Sequence, residues 1–244
     1  MFTRQNVRTY VHVYKPLKGK KRTSKYADLF ESDIPTTGEI SGIELRLSRA
    51  HILDNRTPNI GPFPGYAKVY FLTLVVSDIQ NQAVFVDVKG FPKVDDKEDL
   101  PIDNTLYYWK KSTAAKIPPS QLHVFTAVIK SKQSLRDAGK ILQEIKDDEG
   151  YNSAIKTVVS VITSANPVGP IVDQITNLAN IVGKFLGKVE DKPLISILQS
   201  FTDINGDFDV LGKIHREYRS KYAVLGLSLT VRDKEREKIV SSEK

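Results

Sequence analysis

Segments in which hydrophobic and polar positions alternate with a period of two recur along the first 130 residues and again near the end of the chain. Between them, from Ser134 to Val189, apolar residues recur at helical spacing. The cleanest alternation is Glu39 to Arg49, with Ile43, Leu45 and Leu47 on one face and Glu44, Arg46 and Ser48 on the other. Val7 to Tyr14 alternates too, with partly apolar residues on both sides. Tyr66 to Val76 is apolar on both faces, the mark of a central strand, and Ser77 to Asn81 reads as a polar turn leading into a strand over Ala83 to Val88. Gly90 to Asp103, charged and proline-containing, reads as a connection. Thr105 to Lys110, Gln121 to Lys130 and Tyr222 to Val231 complete the strong strand signals. In Leu106-Tyr107-Tyr108-Trp109, four large residues in succession cannot all face one core. Trp109 is expected beneath the sheet edge, with Tyr107 or Tyr108 turned outward.

The helical block divides into three. Ser134 is a fair N-cap for Leu135 to Lys146, and Asp147-Asp148-Glu149-Gly150 reads as its end. Asn152 opens a second helix, Ser153 to Ser164, carrying Ile155, Val158, Val159 and Ile162. The Asn166-Pro167-Val168-Gly169-Pro170 run breaks it, and a third helix follows from Ile171 to about Val189. The last two form a helical hairpin rich in β-branched residues, which needs packing to hold it. The expected fold is an antiparallel β-sandwich of about eight strands, similar in outline to immunoglobulin-like or C2-like sandwiches, with residues 134–189 inserted as helices. The expected organisation is one domain over residues 1–244, closed by a charged tail at residues 233–244; a separate helical domain is the alternative. The proline- and glycine-rich stretch from His51 to Gly65 is expected as an ordered crossing or rim loop.

With 40% hydrophobic residues the 244-residue chain is long enough for a real core, and 36 lysines and arginines against 29 acidic residues leave a mild excess of +7. The one dense basic cluster is Lys15, Lys18, Lys20, Lys21, Arg22 and Lys25, in a loop-like context. It suits anionic lipid or simple solvation; nucleic acid is disfavoured because no aromatic platform or recognition helix interleaves with it. There is no cysteine, which excludes disulfides and thiolate chemistry. No run of about 18 apolar residues suggests a transmembrane segment, and the start at Met1 to Asn6 lacks a signal-type apolar stretch, so a cytoplasmic address is expected.

Candidate chemistry concentrates in Asp203-Ile204-Asn205-Gly206-Asp207-Phe208-Asp209. Oxygen-bearing side chains at Asp203, Asn205, Asp207 and Asp209 fall at alternate positions. This resembles the start of an EF-hand or dockerin calcium loop, though Phe208 stands at the turn-glycine position and Ile214 at the closing glutamate. The competing reading is an Asn205-Gly206 hairpin turn between strands Leu194 to Ile204 and Asp207 to Ile214. Asp54, Asp78 or Asp233 would supply a further carboxylate if one lay on the same rim. His12, His51, His123 and His215 are dispersed. Only His215 lies close enough in sequence to the acidic segment to be a general-base candidate. No nucleophile elbow, Walker loop or dinucleotide fingerprint occurs, so no catalytic or cofactor-binding residue is assigned and the metal ligands stay open. The favoured function is a non-enzymatic binding or assembly module, acting through the apolar hairpin and Tyr107-Tyr108-Trp109 on a protein partner or a second copy. A calcium-dependent anionic-lipid or surface binder and a hydrolase using His215 with carboxylates are the alternatives.

Overall fold

The structure, a computed structural model, describes residues 6–13, 40–59, 62, 65–79, 84–112, 116–131, 138–162, 168–185, 193–203, 205–208 and 212–233. The basic cluster of residues 15–25, Ser134, Asp209 and the tail beyond Asp233 lie outside them. Ten strands and three helices occur among the described residues, in three layers. The first is a six-stranded antiparallel sheet of β1 (Asn6–Val13), β9 (Gly212–Arg219), β10 (Ala223–Asp233) and β2 (Ile40–Ile52), with β5 (Glu98–Asp99) and β6 (Asn104–Lys110) both pairing the far side of β2. The second is a four-stranded antiparallel sheet in the order β4 (Val84–Val94), β3 (Ala67–Ser77), β7 (Gln121–Ser131) and β8 (Ile195–Thr202). The helices α1 (Ala138–Asp147), α2 (Glu149–Ile162) and α3 (Val168–Phe185) form the third layer, on the outer face of the four-stranded sheet.

Alternation within β3 explains how two cores share one strand. Val69, Phe71 and Val75 face the six-stranded sheet, while Tyr70, Leu72, Leu74 and Val76 face the helices. The central-strand reading therefore holds, since β3 pairs β4 on one side and β7 on the other. Each helix buries one stripe over that second face. Ile141 and Ile145 come from α1, Tyr151, Ala154, Val158 and Ile162 from α2, and Ile171, Ile175, Leu178 and Val182 from α3. The hairpin of α2 and α3 thus spends its apolar face on the sheet.

Several boundaries differ from the sequence reading, each for a local reason. The Gly90 to Asp103 connection is in part strand, since β4 runs on to Val94. Pro92 is tolerated there because β4 is an edge strand, and the register skips between Ala67 and Val69 opposite it. Asp148, read as part of a helix end, is the N-cap of α2; its carboxylate accepts the Tyr151 N–H at 2.7 Å. Asn152 caps backwards instead, donating from Nδ2 to the Lys146 carbonyl at the end of α1. Pro170 lies in the first turn of α3, where its missing N–H costs nothing. The Asn205-Gly206 segment joins no hairpin, because β8 and β9 belong to different sheets. Its turn carries the chain across the sandwich.

Candidate functional site

At that crossing the backbone closes a tight turn, with Gly206 N–H donating to the Asp203 carbonyl at 2.8 Å and Gly206 at φ 71°. The turn delivers Asp207 inward, where only 4% of it is exposed. Its Oδ2 accepts from the Thr202 N–H at 3.0 Å and Asn205 Nδ2 at 3.1 Å, and its Oδ1 accepts from Arg216 Nη2 at 2.7 Å. Arg216 comes from β9 and its guanidinium stacks on the buried Phe201 ring, 4.8 Å from the centroid. Both carboxylate oxygens are thus held by N–H donors, one of them cationic, an arrangement that clamps β8 to β9. Beside the clamp, Tyr218 donates its hydroxyl to Gln199 Oε1 at 2.5 Å, and burial pushes the phenol up to about 12. Asp78 reaches the same rim, accepting from the N–H and hydroxyl of Ser120, whose carbonyl accepts the Asp203 N–H. Among the described residues no three His, Asp or Glu side chains converge as metal ligands, and Asp209 lies outside them.

His215 and the acidic turn are not brought together. Arg216 is the residue that faces Asp207, so its neighbour His215 points to the opposite, outer face of the six-stranded sheet. There Nδ1 lies 2.9 Å from Ser228 Oγ and 3.4 Å from Ser48 Oγ, and Ser228 donates to Ser48, which donates to the Gly226 carbonyl. With both hydroxyl protons so used, His215 Nδ1–H is the donor to Ser228. The imidazole lies close over Gly226, where a Cβ would come within 2.9 Å of His215 Cε1. Around this trio runs a lattice of ion pairs, Arg49 with Glu217 and Asp99 and Arg46 with Glu44 and Asp103, and His51 Nδ1 lies 2.9 Å from Asp99 Oδ1.

The aromatic segment sits at the edge of this face. Between Leu45 and Arg46 the β2–β6 register skips one residue, and the bulge lets consecutive Leu106 and Tyr107 both enter the core. Trp109 is buried as expected, and Tyr108 alone turns outward, 55% exposed. Burial raises the Tyr107 phenol above its ordinary value, and Ser77 donates to its oxygen. Tyr108 pairs in register with Glu44, which accepts from Thr105 Oγ1 at 2.8 Å and pairs with Arg46.

His123 is the histidine whose shift stands out among the described residues. On β7 it faces the helices, 1% exposed, and burial lowers it to about 4. Sequence reasoning missed its partners Gln121 and Ser200, and the partner of Asp207, Arg216. The Gln121/His123 pair was visible in principle as two polar residues at strand spacing on one face of an apolar segment; Arg216 carries no local signal. Comparison with protein-family models, curated proteins and solved structures finds no match to this chain.

Proposed function

We propose that the protein is a non-enzymatic binding or assembly module acting through protein–protein contacts, with β6 as its contact strand. The observation that carries this reading is the presentation of Tyr108. Its neighbours Tyr107 and Trp109 are buried, so the exposed ring projects from a strand fixed on both sides of it. No second described strand pairs β6 on the side away from β2. An aromatic anchor on a rigid edge, rimmed by Glu44, Arg46 and Asp103, is the composition of a protein contact: an apolar centre, polar surroundings and a strand edge that no second described strand pairs. The same reading extends the immunoglobulin-like or C2-like outline to this chain, as a rigid frame that displays its edges and end loops.

The occupant proposed is a second copy, pairing β6 with β6 about a two-fold axis. Sedimentation across a wide concentration range tests it. Self-association is expected, and Tyr108→Asp is expected to weaken it about thirty-fold, the loss typical of an aromatic anchor. A wild-type chain that stays monomeric at the highest soluble concentration, or an association indifferent to Tyr108→Asp, overturns the β6 contact.

A further inference from the structure

Among the described residues, a polar link crosses the largely apolar contact between the inserted helices and the four-stranded sheet. Gln121 Nε2 donates to the carbonyl of Ile162, the last residue of α2, at 3.1 Å. That fixes the amide, leaving Gln121 Oε1 as an acceptor 3.0 Å from His123 Nε2. His123 therefore carries its proton on Nε2, and Nδ1 accepts from the Ser200 hydroxyl at 2.8 Å. Ser200 stands directly opposite on β8. Helix, β7 and β8 are joined in one chain of hydrogen bonds whose sense depends on a neutral imidazole.

We propose that His123 is an acid-sensitive latch: a proton on Nδ1 reverses its bond to Ser200, places a cation beneath the helices, and releases α1, α2 and α3 from the sheet. The surroundings offer that cation little. On β3, Val76 is its register partner. The buried residues of the three helices are uncharged, and Lys140, Glu144, Lys146, Asp147, Glu149, Lys156, Asp173 and Lys184 are all exposed. Tyr151, the titratable group buried in the helical layer, is held neutral by burial. Asp78, in the turn after β3, is the one carboxylate whose field reaches the ring and favours the charged form, yet burial outweighs it. Ser200 and Gln121 are neutral.

Release frees the ring to titrate near its ordinary 6.5, whereas the closed state holds it near 4. Between these values only the open form takes up the proton, so opening is promoted as pH falls through 6.5 and the effect levels off near 4. The open population should be about thirty-fold higher at pH 5 than the unprotonated limit. Hydrogen exchange on the full chain, segment by segment from pH 7 to 4.5 and corrected for intrinsic rates, tests the latch. The expected result is loss of protection in α1, α2 and α3 ahead of β2 and β10, with the acid dependence abolished in His123→Gln. Helices and central strands losing protection together, or an unchanged profile in His123→Gln, overturns it. Should that variant not fold, an NMR titration of the wild-type ring decides: a native imidazole titrating near 4 supports the latch, and one titrating near 6.5 with the helices still protected refutes it.

Discussion

Asp207 shows how one residue's surroundings decide among chemistries that its sequence context leaves open. A calcium ligand presents lone pairs to the ion. Here both oxygens already receive N–H donors, and Arg216 at 2.7 Å occupies the direction from which a cation would approach. Calcium would have to displace a guanidinium that is itself seated on Phe201. The expected outcome of a calcium titration is therefore a flat thermal midpoint, both in the wild type and in Asp207→Asn. Arg216→Ala should cost about 3 kcal/mol, because it leaves a buried carboxylate without its cation. Thermal denaturation with and without chelator checks both statements. A calcium-specific rise in midpoint that disappears in Asp207→Asn would refute the clamp.

At the scale of elements, α2 begins with a cap rather than with propensity. Its β-branched residues give it little intrinsic helicity, so the Asp148 carboxylate on the Tyr151 N–H is a substantial share of its local stability. Asp148→Ala should destabilise the fold by about 1 kcal/mol, with increased exchange confined to the first turn of α2; a uniform increase across all elements would count against a capping role. The same cap shows where sequence reading succeeds and fails. β2 was legible because one-sided burial imposes a period of two, β3 because burial on both faces leaves a continuous apolar run, and the helical stripes because packing imposes 3.6. The start of α2 was not, since Asp148-Glu149-Gly150 serves equally as a helix end or a helix beginning until a neighbouring helix is in place. Asn205-Gly206 announced a turn correctly, but a turn does not say which strands follow, and here they belong to opposite sheets. Pro92 concealed the second half of β4 because an edge strand tolerates what a central strand does not. Of the candidate sites, Asp207 and His215 were legible as residues, whereas their partners were not. Ser48 lies 167 residues from His215 and meets it only through the register of β2, β10 and β9.

For the whole molecule, the decisive relation is that β7 and β8 are antiparallel neighbours. Val128 pairs with Ile195, and the Leu194 N–H donates to the Val128 carbonyl at 2.8 Å, so the helical segment occupies the place of a hairpin loop. Topology alone would let it form an independent domain on two short stalks. The packing argues otherwise, because Tyr70, Leu72, Leu74 and Val76 are core residues only while the helices cover them. At neutral pH the sheets and helices should unfold together, with the calorimetric and van't Hoff enthalpies equal. Replacing residues 132–192 by a tight turn should expose that face and yield a chain that aggregates or binds hydrophobic dyes, although none of the described ladder pairs of the sheet is cut. Two resolved transitions at pH 7, or a soluble, dye-silent excised chain, would show instead that the helices are a separate unit. The choice bears on function: in the proposed latch a layer packed on the sheet through Gln121 and His123 is one that acidification can lift away, whereas a tethered domain would have no such contact to lose.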